Sequence, residues 1–201
     1  MKLFGLTGGI SSGKSTVEEI LRSFGCNIID ADHLYHELLL PRTNQPSHLS
    51  QKIADLFPNV LSENGTIDRQ LLADIVFKDS TARKALENIA HPAVAQAFAL
   101  HLENSRKAGE QHCIYSVPLL YENNLESHFD GIIVVWIPEN IQKQRLAERN
   151  KLSPQSVEER LAAQLPLEKK KKKADWVIDN SGSLEQTQEA VQKLWAEISK
   201  R

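Results

Sequence analysis

An α/β fold, a mainly parallel five-stranded sheet flanked by helices, is predicted by three features of this chain. Five short apolar runs occur, around Leu3 to Leu6, Asn27 to Asp30, Cys113 to Val117, Ile132 to Ile137 and Trp176 to Ile178. Segments with apolar residues at helical spacing separate them, the pattern of strands alternating with helices. The fourth run is continuously apolar rather than alternating, as expected of a strand covered on both faces. At 201 residues, 41% hydrophobic and 25% charged, the chain suits one α/β domain with room for an inserted subdomain.

The first run leads directly into Gly8 to Ser15, which satisfies the P-loop pattern G-x-x-x-x-G-K-[ST]. Val17, Ile20, Leu21 and Phe24 follow at the spacing of one helix face. Gly8, Gly9 and Gly13 let the backbone turn tightly and aim its N–H groups inward, and the helix N-terminus adds its dipole. An anionic triphosphate is the expected guest. Lys14 would reach its β- and γ-phosphates, and the Ser15 hydroxyl would ligate Mg²⁺. Ser11 and Ser12 are small residues that permit the turn.

Charge and composition exclude several other classes. Twenty-four Lys and Arg stand against 26 Asp and Glu, a net charge of −2, without the basic excess that general nucleic-acid affinity requires. Cys26 and Cys113 begin apolar runs far apart in sequence, which suits buried thiols in a reducing compartment. The N-terminal apolar run is too brief for a signal peptide, and no stretch approaches the ~18 apolar residues of a membrane span. No membrane association and a cytoplasmic location are expected.

The second strand ends in Asp30-Ala31-Asp32, and Leu34, Leu38 and Leu39 continue as a helix that Pro41 ends. Ligands of parallel sheets sit beyond the carboxyl ends of the strands, so these aspartates and the P-loop are expected at one cleft. Asp32 also reads as a helix N-cap. From Thr43 to about Gly109 the strand signal disappears. Asp68 caps one helix, Ser80 opens another with Leu86 and Ile89, and Pro92 begins a third with Val94, Phe98 and Leu102. This is a helical insertion beside the nucleotide core.

Pro118 to Glu126 reads as a loop with a short helix. Pro138 then opens a helix on which Arg145 and Arg149 share one face. Either arginine could be a solvated helix charge or a phosphate ligand. Ser153 and Pro154 start a further helix. Five lysines, Lys169 to Lys173, read as a solvated helix face, and Ser183 with Gln186 forms a capping box for a last helix carrying Leu184, Val191, Leu194, Trp195 and Ile198. His33, His36 and Glu37 lack the convergent partners of a zinc site.

Five motifs in order, LTGGISSGKST, then IDAD at 29 to 32, AHP at 90 to 92, VPLLYE at 117 to 122 and ADWVIDNSGS at 174 to 183, resemble the dephospho-coenzyme A kinase family over nearly the whole chain. The resemblance implies a P-loop kinase that moves the γ-phosphoryl of ATP, with Mg²⁺, onto the 3′-hydroxyl of the dephospho-coenzyme A ribose. It places the nucleotide phosphates on Gly9 and on Ser11, Ser12, Gly13, Lys14, Ser15 and Thr16, with Asn180 near the adenine. It makes Asp32 the acceptor-side base and Arg145 a lid arginine closing over the phosphates. Arg69, His91, Pro118, Leu119 and Leu120 are implied substrate contacts.

It further implies a nucleotide core at about 1–42, 110–138 and 174–201, a substrate-binding subdomain at about 43–109 and a lid at about 139–173. Ser11 stands where the family commonly has Gly, so the turn must accept a Cβ there, and His36 stands where an arginine is common. A kinase of another small acceptor, such as a nucleoside monophosphate, is the alternative. A GTP-binding switch lacks support, because Asn150-Lys151-Leu152-Ser153 misses the aspartate of N-K-x-D.

Overall fold

The structure, a computed structural model, describes residues 1–41 and 45–200. They form two compact units, Met1–Ile29 with Ser105–Arg201, and Asp30–Asn104. The expected start of the insertion at Thr43 lies outside the described residues.

In the first unit, β1 (Lys2–Gly8) runs into α1 (Lys14–Ser23) through the glycine-rich turn, and β2 (Ile28–Asp30) closes the unit's first segment. After the second unit come β3 (His112–Ser116), β4 (Gly131–Trp136), α6 (Glu139–Asn150), α7 (Pro154–Ala162), α8 (Leu167–Lys173), β5 (Trp176–Asp179) and α9 (Leu184–Ile198). Strand order is β2-β3-β1-β4-β5, with β1 parallel to both β3 and β4, and β4 parallel to β5. The chain therefore winds to one side of β1 and then to the other. The carboxyl end of β1, where the glycine-rich turn begins, is the switch point at which such sheets bind ligands.

The period-2 alternation of β1 builds the two faces. Phe4 and Leu6 point with Ile133, Val135 and Ile178 into a cluster closed by Val17, Ile20 and Leu21 of α1 and Val191, Leu194 and Ile198 of α9. Between them Gly5 faces the other way, so close to Leu120 that a Cβ would stand 2.6 Å from its Cδ1. Two residues assigned to helix faces from spacing fall outside this core. Phe24 is exposed because α1 stops at Ser23 and Gly25, at φ 80°, turns the chain towards Cys26; Leu184 is exposed at the first position of α9. The capping box of Ser183 and Gln186 is present.

The second unit carries α2 (Ala31–Leu39), α3 (His48–Leu56), α4 (Arg69–Lys78) and most of α5 (Ser80–Lys107). Its core is Leu39, Leu49, Ile53, Val60, Ile67 and Leu72. Side-chain caps start three of these helices, Asp30 accepting from His33 N, Ser47 from Ser50 N and Asp68 from Leu71 N. Residues 80–107 form one helix of 28 residues, not two divided at Pro92. Proline removes one i to i−4 bond, but the helix on both sides continues through it. Ser80 opens it as its first residue, and the Asp79 carboxylate before it accepts from Thr81 N at 2.7 Å.

Pro118 to Glu126 is a series of turns, and the short helix of this region is a 3₁₀ turn at Glu126–His128. Cys26 and Cys113 are free and buried. Among the described residues no helix is long and apolar enough to cross a membrane.

Candidate active site

The glycine-rich turn has the backbone that its sequence demands. Gly13 is the N-cap of α1 at φ 87°, in the left-handed region, and a Cβ there would run into Nδ2 of Asn180. Ser11 is also left-handed, at φ 58°, so this serine does occupy a conformation that glycine adopts at lower cost. The N–H of Ser12 donates to the Gly9 carbonyl at 3.0 Å and tightens the turn. Ser12 is buried, Thr16 half-buried and Ser15 exposed on the first turn of α1. The N–H groups of that turn and the positive end of its dipole are the arrangement that can take an anion.

Lys14 lies in a polar cluster that spacing alone did not reveal. Its Nζ donates to Glu18 Oε1 at 2.6 Å and to Ser116 Oγ at 2.6 Å, while the Ser116 hydroxyl donates in turn to Glu18. Arg22 Nη1 stands 3.7 Å from the other oxygen of Glu18. The i, i+4 series Lys14, Glu18, Arg22 is the readable part of this cluster. Ser116, at the end of β3, is legible only once β3 pairs with β1.

Four side chains hold the loop from outside. The Asn180 amide donates to the Ser12 carbonyl at 2.8 Å and accepts from the Thr187 hydroxyl at 2.9 Å. Gln142 of α6 donates to the Ile10 carbonyl at 2.8 Å, and Gln164, after α7, accepts from Ile10 N at 2.9 Å. Lys170 of α8 donates to the carbonyls of Gly8, at 3.1 Å, and Pro118, at 2.9 Å, and pairs with Glu122 at 2.8 Å.

The lysine run is therefore not a solvated face throughout. Lys170 has no exposed surface, and burial pushes its amine below the usual lysine range, with Glu122 pulling the other way. Lys171 stands over the Trp136 ring, 3.3 Å from its centroid, and Lys173 pairs with Glu126 at 3.2 Å. Leu167 and Lys170 are three apart on α8, and both are buried.

The other site residues sort by unit. Arg145 is half-buried on α6 and, among the described residues, carries no ion pair; Arg149 is exposed. The Pro118 carbonyl accepts from Thr7 Oγ1 as well as from Lys170, Leu119 is exposed, and the Leu120 side chain is fully buried against Gly5. Asp32, Arg69 and His91 are exposed residues of the second unit. Asp32 lies in the first turn of α2, whose N-cap is Asp30, so the capping role open to it in the sequence belongs to its neighbour. His36 lies 6.2 Å ring to ring from Tyr35.

The chain is similar to known proteins along its whole length. A dephospho-CoA kinase of Symbiobacterium thermophilum is 43% identical over 195 residues, covering 97% of this chain and 80% of that one. A dephospho-CoA kinase of Bacillus licheniformis is 42% identical over 202 residues, 98% of each. Among solved structures, TT1252 from Thermus thermophilus superimposes with a TM-score of 0.79 at 36% identity, over 98% of this chain and 97% of the other. Dephospho-CoA kinase from Campylobacter jejuni does so with 0.73 at 30% identity, with the same coverage. The family model of dephospho-CoA kinase matches residues 2–186. With that match and these relatives, the chain belongs to the dephospho-CoA kinase family of transferases.

Proposed function

We propose that this protein transfers the γ-phosphoryl group of ATP to the 3′-hydroxyl of dephospho-coenzyme A, giving coenzyme A and ADP in the last step of coenzyme A synthesis. The observation that carries the reading is the intact anion cradle, left-handed at Ser11 and Gly13 and opening α1, on a chain of this family. The N–H groups from Ser11 to Thr16 bind the phosphates, and Lys14 leaves part of its contact with Glu18 and Ser116 to meet them. The exposed Ser15 hydroxyl, beside Lys14 at the helix start, would hold Mg²⁺, which would supply neutralisation of phosphate charge.

Asp32 accepts the proton of the 3′-hydroxyl as its oxygen bonds to the γ-phosphorus. The bond to the bridging oxygen of ADP breaks, and Arg145 offsets charge on the transferred group. Arg145 is half-buried on α6, three residues after the Gln142 that grips the loop at Ile10, and that placement supports the role. Residues 30–104, with Arg69 and His91, receive the acceptor, Leu119 offers an apolar contact to it, and the helices at about 139–173 act as a lid that excludes water. Asn180 supports the nucleotide site through Ser12.

The test is ADP release from ATP with dephospho-coenzyme A, with a nucleoside monophosphate and with no acceptor. Release dependent on dephospho-coenzyme A, with 3′-phosphorylated product by mass spectrometry, is expected. Turnover with the monophosphate alone overturns the reading.

A further inference from the structure

Lys170 is a charged side chain without exposed surface, in a position where a leucine or methionine would pack at no electrostatic cost. Its three N–H donors meet three acceptors: the carbonyls of Gly8 and Pro118, and the carboxylate of Glu122. Gly8 is the last residue of β1 and the first of the P-loop, and Pro118 follows β3. The ammonium thus joins the carboxyl ends of the two strands beside which the phosphate loop opens.

The same Glu122 oxygen that holds Lys170 also accepts from Leu165 N at 2.9 Å. The residue before Leu165 is Gln164, whose Oε1 takes the N–H of Ile10. One carboxylate therefore anchors two arms. Lys170 holds the base of the loop at Gly8, and Gln164 holds it two residues on at Ile10, with Gln142 gripping the Ile10 carbonyl from α6.

We propose that Lys170, Glu122 and Gln164 form a strut that positions the P-loop for phosphoryl transfer, a role additional to that of the residues that touch the nucleotide. The inference rests on the reading of the loop as the ATP site. Misplacing reacting groups by about 1 Å is enough to cost on the order of 10²-fold in rate, and Lys170, Gln164 and Gln142 all grip the backbone of the loop itself. The strut is a set of positioning residues, and none of them needs to reach the reacting atoms.

The test compares Lys170→Met, Lys170→Met with Glu122→Gln, and Gln164→Ala against the parent, with thermal midpoints, kcat and KM for each substrate. A single change at Lys170 leaves the half-buried Glu122 carboxylate without its cation and lowers stability; the paired change removes both charges and returns the midpoint towards that of the parent. If the strut positions the loop, the paired variant still loses about tenfold or more in kcat, with KM for the acceptor within about twofold. Gln164→Ala, half-buried and outside the ion pair, shows the same split at a parental midpoint and decides the matter should the Lys170 variants not fold.

Recovery of kcat together with stability in the paired variant, or parental kcat in Gln164→Ala, overturns the strut. A parent that releases no ADP with dephospho-coenzyme A overturns instead the functional reading on which it rests.

Discussion

The amide of Asn180 bridges the phosphate loop and the last helix, donating from Nδ2 to the Ser12 carbonyl at 2.8 Å and accepting at Oδ1 from the Thr187 hydroxyl at 2.9 Å. Ser12 and Thr187 have no exposed surface, and the Asn180 N–H is itself committed to the Trp136 carbonyl at 2.9 Å. Truncation to Asn180→Ala strands the buried Ser12 carbonyl, at about 1–3 kcal/mol, while the Thr187 hydroxyl keeps the Ser183 carbonyl at 3.2 Å. Urea denaturation should show a loss in that range, accompanied by a raised KM for ATP. A loss of stability with unchanged KM would confine Asn180 to the scaffold.

Two left-handed residues of the loop should respond oppositely to side-chain size. Gly13→Ala places a Cβ at φ 87° and drives it into Asn180, so it should destabilise by at least about 1–2 kcal/mol and weaken ATP binding. At Ser11 the chain already carries a Cβ at φ 58°. Ser11→Gly relieves that conformational cost but adds freedom to the unfolded chain, so its net effect should stay within about 1 kcal/mol. Thermal melts of the two variants side by side test the contrast.

Asp32 and Arg145 should lose turnover without losing the fold. Asp30, not Asp32, caps α2, so Asp32→Asn leaves the helix start intact while removing a base worth about 10²- to 10⁴-fold. Arg145 has no ion pair among the described residues, so Arg145→Ala costs little stability, yet a guanidinium on the transferred phosphoryl is worth up to about 10³- to 10⁵-fold. The coupled ADP assay at saturating ATP checks both. Parental kcat in either variant removes that residue from the chemistry.

What the sequence discloses divides along physical lines. The P-loop is local, because its glycines, its lysine and the helix it opens are contiguous, and the five apolar runs are short and dense enough to be read as strands. Pro92 was misleading because a proline's local cost gives way to a long helix with partners on both sides of it. Lys170 was hidden for a different reason. Its partners are backbone carbonyls 162 and 52 residues away, and backbone acceptors leave no mark on composition. Gln142 and Gln164 are hidden likewise, both binding the peptide groups of Ile10. The helices α6 to α8 are legible as helices, but their grip on the loop exists only in three dimensions.

The two cysteines give the chain a definite alkaline behaviour. Burial pushes the thiols of Cys26 and Cys113 up to about 12, with Glu110 adding to the shift at Cys113. The folded protein therefore keeps both protons at a pH where the unfolded chain, with thiols near ~8.5, has released them. Because the unfolded state then binds fewer protons, stability is fully present at neutral pH and falls as pH rises from about 8.5 towards 12. Lys170 works against this trend, since its lowered amine value makes the folded form relatively better as pH rises towards the ordinary lysine range. Comparing parent with Cys26→Ala/Cys113→Ala isolates the thiols: urea denaturation between pH 7 and 10 should show a shallower alkaline decline in the variant, as about two fewer protons are in play. In the parent, iodoacetamide at pH 8.5 should label neither thiol until urea opens the fold, and rapid labelling of the native protein would overturn the assignment of both as buried neutral thiols.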